Sequence, residues 1–143
     1  GHVFIGFGWL GETLDRHIQT LAGLSPTAGQ IFTAEMSFKT KVSALSSLVQ
    51  LKPPMRQYNI GNEKLEDVWR DMLRMLAKCN ELRNVVAHSR WSLPNKGKIT
   101  RMKTSAKTAH GLRAVSEELD SAYLLDVYDY ILNVAVILDE FFI

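Results

Sequence analysis

The sequence predicts an all-α protein, an antiparallel four-helix bundle with a short basic hairpin or loop excursion between its third and fourth helices. Two observations carry that expectation. Apolar residues recur at alternating steps of three and four along four separate stretches, so that each stretch buries one stripe. Between the third and fourth stretches the period disappears, and the charge changes with it: residues 82 to 116 hold eight Lys and Arg and no Asp or Glu. At 143 residues, the chain has the length of a single domain, taken as 1–143.

Leu10, Leu14, Ile18, Leu21 and Leu24 mark a first helix from about residue 8 to residue 24, with Ser25 and Pro26 ending it. Thr27 and Gln30 match a capping box, and Ile31, Ala34, Phe38, Val42, Leu45 and Val49 give the buried face of a second helix that Pro53 and Pro54 stop. Asn62 is a good N-cap for the third, with Glu63, Glu66 and Asp67 where a helix N-terminus favours negative charge. Its stripe runs Leu65, Trp69, Met72, Leu76, Cys79, and the helix reaches about His88. The turn signal Pro94 Asn95 Lys96 Gly97 and the β-tolerant run Ile99 to Thr104 suggest a short hairpin over Trp91 to Thr104. From Ser116, with Glu117 and Glu118 in its first turn, the helical period returns through Leu124, Tyr128, Ile131, Ala135 and Leu138.

The formal net charge of +2 hides an asymmetry, because outside residues 82 to 116 nine Lys and Arg face all 15 acids. One basic segment beside an acidic remainder suggests a surface for phosphates. The longest apolar runs are broken by Asp126, Asp129, Asn133, Asp139 and Glu140, so no membrane span is expected. Gly1 to Gly11 is apolar and glycine-rich without a basic leader, and does not read as a signal peptide. A lone cysteine, Cys79, on a buried stripe fits a reducing, cytoplasmic setting and packs as a small apolar side chain. His2, His17 and His110 are far apart and lack metal-ligand spacing, so they are read as surface or boundary residues with no metal site and no cofactor.

The next step along the third stripe lands on Arg83. A guanidinium cannot shed its proton to escape burial, so this position asks for a carboxylate, a phosphate or a wet cleft. Asn84 follows, then Val85, Val86, Ala87, His88, Ser89, Arg90 and Trp91. An Arg, a polar residue and a His at the end of a core helix resemble the signature of the HEPN superfamily (higher eukaryotes and prokaryotes nucleotide-binding), small four-helix bundles. The resemblance implies metal-independent RNA cleavage in a homodimer, often within a toxin–antitoxin or phage-defence system, with Arg83 and His88 catalytic and Asn84 supporting. It also implies partners: RNA, and an antitoxin or a nucleotidyltransferase. One toxin subfamily carries Tyr two residues after the His, where this chain has Arg90.

The chemistry can be argued from residue types. Metal-free cleavage needs a base for the ribose 2′-OH, which a histidine supplies, and a cation for the forming phosphorane, which an arginine can fork onto. Arg90, Lys96, Lys98, Arg101 and Lys103 would guide the RNA through phosphate contacts, with weak sequence preference. Five residues along a straight helix leave two side chains roughly 140° apart. Either the helix ends or distorts near Ala87, or a second copy across a two-fold axis completes the site. Two readings compete: Arg83 pairs with Asp120 or Asp126 and clamps the bundle while His88 caps the third helix, or the chain is a non-catalytic interaction module that keeps the motif for dimerisation or for binding a partner protein or nucleotide.

Overall fold

The computed structural model describes residues 1–54, 64–87, 90–91, 98–107 and 111–142, and side chains for 1–54, 64–87 and 122–142. Five helices, α1 (His2–Ala22), α2 (Pro26–Ala34), α3 (Phe38–Leu51), α4 (Leu65–Ala87) and α5 (Ser121–Phe141), carry the packing. The buried apolar core among the described residues comes entirely from α1, α3, α4 and α5, centred on Leu10, Leu14, Leu45, Met72, Leu76, Ile131 and Leu138.

The helix boundaries differ from the sequence reading at both ends of the chain and between its first two expected helices. Helix α1 begins at His2, six residues before the expected start, and Gly6 explains why the extra turns pack: an added Cβ would sit 3.0 Å from the Tyr128 ring. It ends at Gly23 (φ 68°, ψ 28°), whose N–H donates to the Thr20 carbonyl while that of Leu24 donates to Gln19, the two bonds of a Schellman cap. Ser25 and Pro26, taken as the stop of the first helix, instead start the next: Ser25 Oγ accepts from the Ala28 N–H at 3.2 Å, and Pro26 fills the first turn.

The single second helix expected from Thr27 to Val49 is two. Helix α2 stops at Ala34, and Ser37, in an extended conformation (φ −67°, ψ 162°), caps α3 by accepting from the Thr40 N–H at 3.2 Å. Beyond this break the phase of the stripe resets. Leu45 and Val49 are buried as expected, whereas Ile31 and Ala34 are exposed and α2 turns Gly29 and Thr33 inward instead.

Contacts between side chains fix the helix directions. Phe7 meets Phe38 (ring centroids 4.6 Å apart), Asp15 takes Lys41 Nζ at 2.8 Å, and the Leu21 carbonyl accepts from Lys52 Nζ, so α1 and α3 run in parallel. His2 meets the Tyr128 ring and His17 meets Asp139, so α1 and α5 are parallel too. Helix α4 runs the other way: Trp69, near its start, packs on Phe141, and Arg83, near its end, lies over Phe7. The expected up-and-down antiparallel arrangement is therefore corrected, because α2 serves as a return leg that lets α3 repeat the direction of α1.

Helix α4 ends, and α5 begins, at the pole that holds His2 and Phe7. Between them the backbone pairs antiparallel in the order β1 (Arg90–Trp91), β2 (Lys98–Lys107), β3 (Gly111–Asp120). Register sets Lys98 opposite Asp120 and Arg101 opposite Glu117. Glu117 and Glu118, assigned from sequence to the first turn of the last helix, fall on β3, and that helix begins at Ser121 rather than Ser116. Opposite charges at paired positions favour this register over the helical alternative.

Candidate functional site

The stripe of α4 is laid out as its spacing requires. Trp69, Met72, Leu76 and Cys79 are buried, and burial pushes the Cys79 thiol up to about 12, which leaves it protonated and inert. Arg83, the next position, is half-buried. Its Cζ lies 5.3 Å from the centroid of the Phe7 ring, and one terminal nitrogen donates to Asn84 Oδ1 at 3.2 Å. Its Nε is buried and has no hydrogen-bond partner among the described residues. No described carboxylate forms an ion pair with Arg83, and Asp126 is exposed on α5, so the Arg83–Asp126 clamp is not formed. The side chain of Asp120 lies outside those described.

This is an unusual state for a guanidinium. Phe7 supplies the cation a polarisable face, and Asn84 takes one donor. The orphaned Nε–H costs about 1–3 kcal/mol in lost solvation, and an acceptor brought to it would recover that cost as a charge-assisted hydrogen bond. Arg83 thus meets the sequence expectation of needing an anion while lacking one from its own described neighbours.

The partner residues of the motif are less fully placed. His88 and Lys96 lie outside the described residues. Helix α4 is described as far as Ala87 and β1 from Arg90, so the expected end or distortion of the helix near Ala87 falls at the edge of the described residues. Arg90 is a backbone position of β1, while Lys98, Arg101 and Lys103 are positions of β2, with Arg101 and Lys103 on one face of the strand and Lys98 on the other. Trp91 pairs with Arg101 in register.

A second polar cluster sits at the opposite pole and was not singled out from the sequence. Asp139 Oδ1 on α5 accepts from Arg16 at 2.6 Å and pairs with His17 Nε2 at 2.7 Å. The His17 ring stacks on Phe142, with centroids 4.4 Å apart and planes at 28°. Thr20 and Leu21 complete a cleft of about 390 Å³. Burial pulls the imidazole of His17 below its ordinary value, outweighing the hydrogen bond and charge of Asp139 that pull it up. Burial also pushes the carboxyl of Asp139 up, yet the hydrogen bonds from His17 and Arg16, with their charges, hold it below the ordinary carboxylate value. The sequence carried only a weak signal for this cluster: His17 lies beside Ile18 of the 10–14–18–21 stripe and reads as a surface or boundary residue. Among the described residues, no group of three or more His, Cys, Asp or Glu is placed to hold a metal ion.

Fold and site together define a helical core with a basic antiparallel ladder inserted between its last two helices, and a half-buried arginine at the point where the ladder leaves. No family model matches the chain, and no curated protein or solved structure matches it. Among the described residues, no helix is long and apolar enough to cross a membrane.

Proposed function

We propose that this chain is a HEPN-like, metal-independent endoribonuclease that acts as a homodimer in the cytoplasm, in a toxin–antitoxin or phage-defence setting. The observation that carries the reading is Arg83, a half-buried guanidinium with an orphaned Nε at the mouth of the one basic insertion in the chain. In this mechanism His88 takes the proton from a ribose 2′-OH and the 2′-oxygen attacks the adjacent phosphorus. The P–O5′ bond breaks, and the leaving oxygen is protonated to a 5′-OH while the other fragment keeps a 2′,3′-cyclic phosphate. Arg83 forks onto the non-bridging oxygens as charge builds, and Asn84 orients it through the 3.2 Å hydrogen bond. Arg90, Lys96, Lys98, Arg101 and Lys103 hold the flanking phosphates, an arrangement whose affinity falls steeply with salt. Arg83 and His88 converge either through an end or distortion of the helix near Ala87 or across a two-fold axis between two copies. An antitoxin or a nucleotidyltransferase would act as partner.

A second reading draws on a specific contact. Arg83 joins α4 to α1 through Phe7, which favours a helical interaction module in which the arginine serves assembly alone. Incubating wild type, His88→Ala and Arg83→Ala with a mixed RNA pool in EDTA separates the two. Cleavage by wild type alone, leaving 2′,3′-cyclic ends, supports the nuclease. Intact RNA in all three reactions, with every protein folded, supports the module.

A further inference from the structure

The Arg16–His17–Asp139 cluster fixes one imidazole in position and in tautomer. The Asp139 carboxyl, held below its ordinary value, is ionised at neutral pH, and a carboxylate only accepts, so His17 Nε2 carries the hydrogen of the 2.7 Å contact. Burial keeps the ring neutral, which leaves Nδ1 as a bare lone pair. The Phe142 stack sets the plane of the ring, and only 14% of the His17 side chain is exposed.

The polar atoms left over specify a ligand. Neither His17 Nδ1 nor Asp139 Oδ2 has a hydrogen-bond partner among the described residues, and neither is sealed from water. Thr20 Oγ1 donates its hydrogen to the Arg16 carbonyl at 3.0 Å, so it too can only accept from a ligand. These three acceptors belong to residues that line one cleft of about 390 Å³, a volume within the about 300–1,000 Å³ of small-molecule sites. Arg16, on the same cleft, uses one N–H on Asp139 and keeps its others free among the described residues. Leu21 and Phe142 add apolar wall. One carboxylate and one guanidinium give the cleft no net charge, so a simple anion or a simple cation gains one partner and meets one like charge. A ligand bearing both charges satisfies both: the three N–H groups of an ammonium match the three acceptors, and a carboxylate forks onto the guanidinium.

The geometry points to this cleft as a binding site for a small zwitterion, a free α-amino acid with an apolar side chain. Its ammonium lies on Asp139 Oδ2, His17 Nδ1 and Thr20 Oγ1, its carboxylate on the free edge of Arg16, and its side chain against Leu21 and Phe142. Three small polar anchors and one apolar contact support a Kd on the order of 1 mM. His17 stands ten residues along α1 from Phe7, about 15 Å from the level of Arg83, so the site is independent of the nuclease reading.

Titration of the intact, isotope-labelled chain with L-phenylalanine, followed by two-dimensional amide NMR, tests it. Saturable shifts are expected at Arg16, His17, Thr20, Leu21, Asp139 and Phe142. N-acetyl-L-phenylalanine, which lacks the ammonium, and phenethylamine, which lacks the carboxylate, should each bind about tenfold more weakly or worse. Arg16→Gln, at an exposed side chain and with unchanged helical circular dichroism, should weaken L-phenylalanine about tenfold and leave phenethylamine as it is in wild type. Absence of saturable shifts with L-phenylalanine overturns the proposal, and so do shifts confined to residues outside the cleft. Phenethylamine or N-acetyl-L-phenylalanine binding as tightly as L-phenylalanine overturns it too, as does an Arg16→Gln variant that binds L-phenylalanine like wild type or weakens phenethylamine equally.

Discussion

Asp139 holds Arg16 and His17 on a single carboxylate oxygen, and the two differ in how they respond to pH. Arg16 stays charged throughout. His17 is less basic folded than its ordinary 6.5, so the unfolded chain binds its proton more readily. Stability tied to neutral His17 is therefore present above about pH 6.5 and is lost as pH falls below it. The Asp139 carboxyl is lowered from 3.8, so its contribution is present above that value and goes at still lower pH. Urea midpoints measured from pH 8 to pH 3 should fall in two steps, and His17→Gln should remove the upper one only. A single step near pH 4 in wild type would contradict the assignment. Arg16 is 57% exposed, and Arg16→Ala should change the midpoint at pH 7 little, as an exposed pair is worth at most about 1 kcal/mol.

Arg83 offers a sharper test at the same scale. Its orphaned Nε–H is a cost to the fold, and Arg83→Met keeps much of the contact with Phe7 while removing that cost. Thermal melts should show Arg83→Met as stable as wild type, or more stable by up to about 1 kcal/mol. A loss of 2 kcal/mol or more would mean that the guanidinium serves the fold. This position was legible from sequence because a charged residue had replaced an apolar one in an otherwise regular stripe. His17 gave no such signal, because Ile18 holds the apolar step of its stripe and the histidine beside it passes as a boundary position.

Among the elements, α4 and α5 were the most legible, since long uninterrupted periods leave little choice of phase. The inward positions Ile131, Ala135 and Leu138 are buried, and Asp126, Asp129, Asn133 and Glu140 are exposed, as their spacing requires. The region from 25 to 51 was misread for a definable reason: capping residues are also ordinary residues. Ser25, Thr27 and Ser37 all suit an N-cap, and only the backbone shows which two act. Ser37→Ala should cost about 1 kcal/mol by losing the bond to Thr40, whereas Thr27→Ala should stay within about 0.5 kcal/mol. Equal losses from the two would restore a single helix through residue 37. Glu117 and Glu118 were misassigned because a helix first turn and a strand paired with the basic β2 both favour negative charge.

For the molecule as a whole, helix direction was the property least accessible to sequence. Amphipathic stripes report which face is buried and say nothing of which neighbour runs up or down, so a nine-residue return leg at α2 reverses the expected arrangement. The core formed by α1 and α5 joins residues as distant as His17 and Asp139, 122 positions apart. Leu14→Ala on α1 and Leu138→Ala on α5, both fully buried, should each cost about 2–5 kcal/mol. Far- and near-ultraviolet melts of each variant should coincide, because both helices contribute to one core. Separate transitions would show that the α1–α5 layer melts independently of α3 and α4.

The parallel alignment of α1 and α5 also sets how the domain would respond to mechanical load. The first turn of α1 and the last turn of α5 lie at opposite poles, about 30 Å apart by the rise of 21 residues, on two helices that touch along their length. Tension applied between those ends slides one helix along the other, so the contacts from Tyr128 to Asp139 share the force together. In an antiparallel pair, both ends would lie at one pole and the same tension would peel the contacts apart one by one. A protein pulled by the ends of these two helices should therefore yield in a single high-force event.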